Sequence, residues 1–194
     1  MLNRLAIATA LLLAATMPAF AHLEPSAHGS FIAGFSHPLF GVDHLLVMVA
    51  VGLWAAMLGG RALVAVPTAF AGTMIVGFAA ALLGAPLPFV EPMILASIVF
   101  IGLMVALALP LPMGGMMGLV AFFAFFHGHA HGSEPGAAGA AQFAIGFALA
   151  TALLHAAGIG LGLTFGRWQT ESQVLTRLAG ATTALAGLSL AFAG

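Results

Sequence analysis

The sequence predicts an all-α fold: a polytopic membrane helical bundle with six transmembrane helices after signal-peptide removal and the mature N-terminus outside. Three observations predict it. The chain of 194 residues is 62% hydrophobic and only 5% charged, with a mean hydropathy of +1.18; an ordinary soluble domain carries roughly 25% charged residues. Apolar runs of about 20 residues, the length that crosses a bilayer, recur between Gly, Pro and Arg punctuation. When six such runs are threaded, all four arginines fall on one side, as the positive-inside rule requires.

Residues 1–21 read as a cleaved signal peptide. Arg4 supplies the charged start, residues 5–15 the apolar stretch, and Ala19-Phe20-Ala21 the small-residue cleavage site. A retained first helix is the alternative; the short apolar stretch and Pro18 favour cleavage. Cleavage leaves 22–194 as a single six-helix domain and exposes His22 as a new N-terminus, where α-amine and imidazole together can chelate a metal. The competing reading, a mobile end, carries more weight.

The spans follow in order. The first covers 38–58 and stops at Gly59-Gly60-Arg61. The second covers 62–84, before Pro86 and Pro88. The third covers 91–109, before Pro110 and Pro112. The fourth covers 113–131, the fifth 138–165 before Gly166-Arg167, and the sixth 173–193. Residues 28–36 are also apolar. A straight helix from His28 to Leu58 would be about 46 Å long, too long for a hydrocarbon core of roughly 30 Å. Pro38 is the expected break, with a short helix or re-entrant piece before it and Pro38 in the first turn of the main span. In this threading Arg61, Arg167 and Arg177 face the cytoplasm, and Glu24, Glu91 and Glu134 face outward. Gly72, Gly77, Gly102, Gly158, Gly160 and Gly162 allow close helix contacts. Phe31-x-x-Gly34-Phe35 recurs as Phe143-x-x-Gly146-Phe147, a match that chance explains readily in so Ala/Gly/Phe-rich a chain.

Composition also excludes. There is no cysteine, hence no disulfide, thiolate site or thiol catalysis. A net charge of −1 leaves no basic surface for nucleic acid. No H-E-x-x-H, G-x-S-x-G or phosphate-binding loop occurs, so the chain reads as a non-enzyme without a prosthetic group.

Eight histidines against five acids point to metal or proton chemistry. His37-Pro38-Leu39-Phe40-Gly41-Val42-Asp43-His44 heads the first span. On one helix His37 and His44 lie two turns apart on nearly one face, with Asp43 flanking. Two imidazoles and a carboxylate are costly in a membrane, and such residues usually mark a pathway or site. They suit a borderline divalent cation. His127-Gly128-His129-Ala130-His131-Gly132-Ser133-Glu134 ends the fourth span. A continuing helix aligns His127, His131 and Glu134 and turns His129 away; a break at the glycines would instead give a chelating His-rich loop. Glu91 begins the third span on the same side, as an entry ligand or as a carboxylate favoured by the helix dipole. His155 lies deep in the fifth span, as an inner stop or as a packing residue. Met48, Trp54 and Phe70 read by default as core or lipid-facing residues.

At these motifs the chain resembles the HupE/UreJ family of hydrogenase and urease accessory membrane proteins, which are nickel permeases. The matching stretches are His37-Pro38-x-x-Gly41-x-Asp43-His44 with Met48-x-Val-x-Gly52-Leu53-Trp54-Ala55, His127-Gly128-His129-Ala130-His131-Gly132-x-Glu134, and Leu154-His155-x-x-Gly158. The resemblance covers essentially the whole mature chain. It implies that His37, Asp43, His44, Glu91, His131 and Glu134 matter for transport, and that an aromatic residue is needed where Phe70 stands. It also implies a multi-pass protein of the bacterial inner membrane that moves Ni²⁺ (or Co²⁺) as substrate from periplasm to cytoplasm. Metallocentre assembly proteins of a hydrogenase or urease would be its downstream partners. Two other readings remain: a membrane hydrolase using a bound metal to activate water, and an accessory protein that binds metal without transporting it.

Overall fold

The computed structural model describes residues 30–109, 111–132, 136–168 and 173–193. Among the described residues the secondary structure is entirely helical: α1 Phe31–Phe40, α2 Val42–Leu58, α3 Ala62–Leu82, α4 Val90–Leu107, α5 Met113–His131, α6 Gly136–Trp168 and α7 Val174–Ala193. Helices α3 to α7 are each long and apolar enough to cross a membrane. Helices α1 and α2 pass the same test only as a pair bent by 78°, which makes six spans if the pair counts as one. The signal peptide, His22 and Glu134 lie outside the described residues.

The break in the first span corrects the sequence expectation. Pro38 sits inside α1, not at the start of the main span, and the chain turns at Gly41. A proline deletes one helical hydrogen bond, and near a helix end that loss is tolerated. Gly41 instead leaves the helical region (φ −74°, ψ 109°) while its N–H still donates to the His37 carbonyl at 2.9 Å. A Cβ there would stand 3.0 Å from Asp43 Oδ1 and 3.3 Å from His44 Nδ1. The small residue thus lets both side chains fold back over the bend. Ser30 caps α1, its Oγ accepting from the Ala33 N–H at 3.0 Å.

Helix α2 packs along α6, α3 along α5, and α4 along α7. Small residues set these approaches. A Cβ on Gly128 would overlap the Met74 carbonyl, so α5 presses on α3 at the point where it carries His127. Gly77, Gly102, Gly158 and Gly162 also meet neighbouring helices, whereas Gly72 and Gly160 face open space. The two Phe-x-x-Gly-Phe stretches cross each other: Gly34 lies against the Phe143 carbonyl and Gly146 against that of Phe31. Whatever its origin, the repeated pattern is a matched packing pair.

The largest fully buried side chains include Trp54, Phe70, Met48 and Met74, and with them His44, His127 and His155. The core of this bundle therefore contains imidazoles at its centre. The ends differ in charge. The start of α2, the end of α3, the start of α4 and the end of α5 meet at one end, because His131 reaches His44 and His129 reaches the Ala85 carbonyl. Arg61, in the α2–α3 turn, and Arg177, whose Nε donates to the Ala106 carbonyl at 2.8 Å, occupy the other.

Candidate metal centre

The bend at Gly41 builds the site. On a straight helix seven residues span about 10 Å. Across the bend the His37 and His44 rings have centroids 5.1 Å apart. The expected common face on one helix is thus replaced by two helices meeting at an angle. Helix α5 continues unbroken through His131, so the chelating-loop alternative fails for this segment. It brings the His131 ring 4.1 Å from that of His37 and 4.9 Å from that of His44.

His37, His44 and His131 each offer a nitrogen within 4.8 Å of the others. A cation held at about 2.1 Å by imidazole needs donors no more than roughly 4.2 Å apart, so modest side-chain shifts close the set. His44 Nε2 and His131 Nε2 are 3.0 Å apart. Asp43 Oδ1 lies 2.9 Å from His44 Nδ1. That contact is short but off-axis, an electrostatic contact more than a directed hydrogen bond. A carboxylate there favours the proton on Nδ1 and directs the Nε2 lone pair toward the cluster, as carboxylates behind metal-binding histidines do. Asp43 also stands in the first turn of α2, where the helix dipole favours its charge.

Phe147 floors the cluster, with ring centroids 6.0, 5.8 and 5.4 Å from His37, His44 and His131. Deeper in, His127 is fully buried, its ring 4.9 Å from that of His44. Its Nε2 is 2.9 Å from Ser97 Oγ. Phe70 comes next, its ring 5.7 Å from His127 and 5.1 Å from His155. His155 is 1% exposed, and neither of its ring nitrogens has a hydrogen-bond partner. It lies at the base of an open groove of about 430 Å³ between α3 and α6, lined also by Pro67, Thr68, Ala71 and Ala152. The sequence-derived residues therefore form a file running inward: His37, His44 and His131, then His127, Phe70 and His155.

Other candidates lie off that file. His129 points away, its Nε2 at 2.8 Å from the Ala85 carbonyl. Glu91 is exposed in the first turn of α4, at the histidine end but outside the three-nitrogen group. Met48 and Trp54 are buried core residues. Sequence reasoning missed two residues. Ser97 carried a signal, being the only hydroxyl in α4. Phe147 was visible only as part of the repeated motif.

Comparison with known proteins agrees with this architecture. A family model described as HupE / UreJ protein matches residues 9–190. A curated relative, Protein HupE of Rhizobium leguminosarum bv. viciae, is 42% identical over 185 residues, covering 94% of this chain and 95% of the relative. No solved structure matches. A multi-helix apolar bundle, a buried histidine cluster and a family match along nearly its whole length together show that this chain belongs to the HupE / UreJ family.

Proposed function

We propose that the protein is a permease of the bacterial inner membrane that carries a divalent transition-metal ion, Ni²⁺ first, from periplasm to cytoplasm for the maturation of a hydrogenase or urease. The observation that carries this reading is the three-imidazole group within 4.8 Å, formed by α1, α2 and α5 inside an apolar bundle. Buried imidazoles are costly among apolar helices, and donors that suit a borderline cation offset that cost when a cation passes. The family membership supports the same substrate class.

The working orientation puts the histidine end outside and the arginine end inside, following the positive-inside rule, with the signal peptide removed. Asp43 and the exposed Glu91 attract the dication, and the family resemblance gives Glu134 the same role. His37, His44 and His131 replace part of its hydration shell. His127 and His155 are later stops, and Phe70 separates them. Several modest sites suit conduction better than one closed cage, because the ion must leave as readily as it enters.

Purified protein in proteoliposomes tests this directly. Saturable Ni²⁺ entry that His37→Ala removes, while the variant keeps its helical content and dispersity, is the expected result. Tight stoichiometric metal binding with no flux would sink the permease reading in favour of a metal-binding accessory protein, and metal-dependent hydrolysis without flux would favour an enzyme.

A further inference from the structure

Ser97 stands against His127, the first histidine inward of the three-nitrogen group, and the two contacts of its hydroxyl fix a proton. Its Oγ is 2.6 Å from the Ile94 carbonyl oxygen and 2.9 Å from His127 Nε2. Both Ser97 and His127 are fully buried. A serine hydroxyl carries one hydrogen. Two oxygens 2.6 Å apart repel unless a hydrogen lies between them, so Ser97 donates to Ile94. What Oγ turns toward His127 is then a lone pair. The hydrogen in that second contact comes from the ring, and His127 Nε2–H donates to Ser97.

In a neutral imidazole the other nitrogen is then bare. His127 Nδ1 has no hydrogen-bond partner in the bundle. An unpartnered acceptor in an apolar interior is unfavourable, and it is also the one state in which an imidazole nitrogen binds a metal. With the opposite tautomer, Nδ1 would carry an N–H and repel a cation. We infer that Ser97 is a positioning residue: it holds His127 in the tautomer that offers Nδ1 to a borderline divalent cation. His127 is thereby the next ligand inward from the three-histidine group. His44 links the two steps, since its ring lies 4.9 Å from both His131 and His127. A cation can therefore exchange donors while keeping His44. The transport consequence rests on the permease reading; the tautomer does not.

The test uses full-length protein in lipid nanodiscs, metal-free, with ¹⁵N-labelled histidine. Long-range ¹H–¹⁵N spectra distinguish Nε2–H from Nδ1–H rings, and His127→Gln assigns the resonance. The expected result is a neutral His127 protonated at Nε2 in the wild type and in Ser97→Thr, and a mixed or reversed tautomer in Ser97→Ala. In proteoliposomes Ser97→Ala lowers Ni²⁺ flux about tenfold, the lower end for loss of a group that orients a metal ligand, and Ser97→Thr retains it. A wild-type His127 protonated at Nδ1 overturns the inference without any variant. So does a Ser97→Ala protein with unchanged tautomer, or with unchanged flux. Absence of flux in the wild type, with the predicted tautomer present, overturns the permease reading alone. In that case a changed Co²⁺ absorption spectrum in Ser97→Ala still identifies His127 as a ligand, and an unchanged one removes it.

Discussion

The histidine group at the Gly41 bend, with His44 and His131 buried and His37 half-buried, and the single buried histidine on α6 belong to the same bundle, yet they are built differently. His37, His44 and His131 sit among other donors, with Asp43 behind His44 and three nitrogens facing one another. His155 has Phe70 against its ring and no hydrogen-bond partner on either nitrogen. The first arrangement can share a cation among several ligands. The second offers a single imidazole with no other donor grouped beside it among the described residues. Under the permease reading, the difference teaches that capture and passage are separable demands. Capture needs several converging donors, and passage needs a donor weak enough to let go.

Replacing His44, whose ring faces those of His37, His131 and His127, breaks this comparison most strongly. His44→Ala is expected to lower Co²⁺ or Ni²⁺ affinity by more than about 100-fold, since it removes a ligand and not merely its support. His155→Ala is expected to leave affinity within about twofold and to reduce flux. Equilibrium titration beside flux measurement separates the two. Equal losses of affinity in both variants would mean that the two regions form one site.

A smaller effect is expected behind the ligand. Asp43→Asn keeps the shape but removes the charge facing His44 Nδ1, and metal affinity is expected to fall about 10-fold, within the range for loss of a supporting carboxylate. The same titration checks it, and unchanged affinity would show that the off-axis contact orients nothing. The smallest effect belongs to His129. Its Nε2 meets the Ala85 carbonyl and not the cluster. His129→Ala is expected to leave affinity and flux within about twofold, with a slight loss of thermal stability from one partly exposed hydrogen bond, about 0.5–1.5 kcal/mol. A large loss of binding would return His129 to the ligand set.

Much of this was legible before any coordinates. Spans three, four and six fall within a residue or two of the expected limits, because Pro110, Pro112 and the apolar run lengths punctuate them without ambiguity. A continuing helix predicted His127 and His131 on one face and His129 turned away, while the loop alternative kept His129 among the candidate ligands; the unbroken α5 decided between them. The first span misled in one respect. Proline is the stronger local breaker on propensity, yet the bend came at Gly41. There the absence of a Cβ leaves room for Asp43 and His44, and that crowding arises only once the bend exists.

The sequence by itself determined the membrane class, the helical composition and the residue types able to hold a cation. Those follow from run length, periodicity and the cost of polar groups in lipid, all of which are local. Span threading put the His37–His44 and His127–Glu134 stretches on one side of the membrane and read them as walls of one site, and tertiary structure decided which imidazoles meet there. His44 and His131 are 87 residues apart in sequence and 3.0 Å apart in the bundle. Ser97 entered only because α4 lies against α5, and the floor of Phe147 only because α6 crosses α1. Such contacts depend on how closely helices approach, which Gly34, Gly128 and Gly146 set through backbone clearance, and no spacing along one strand of sequence encodes that distance.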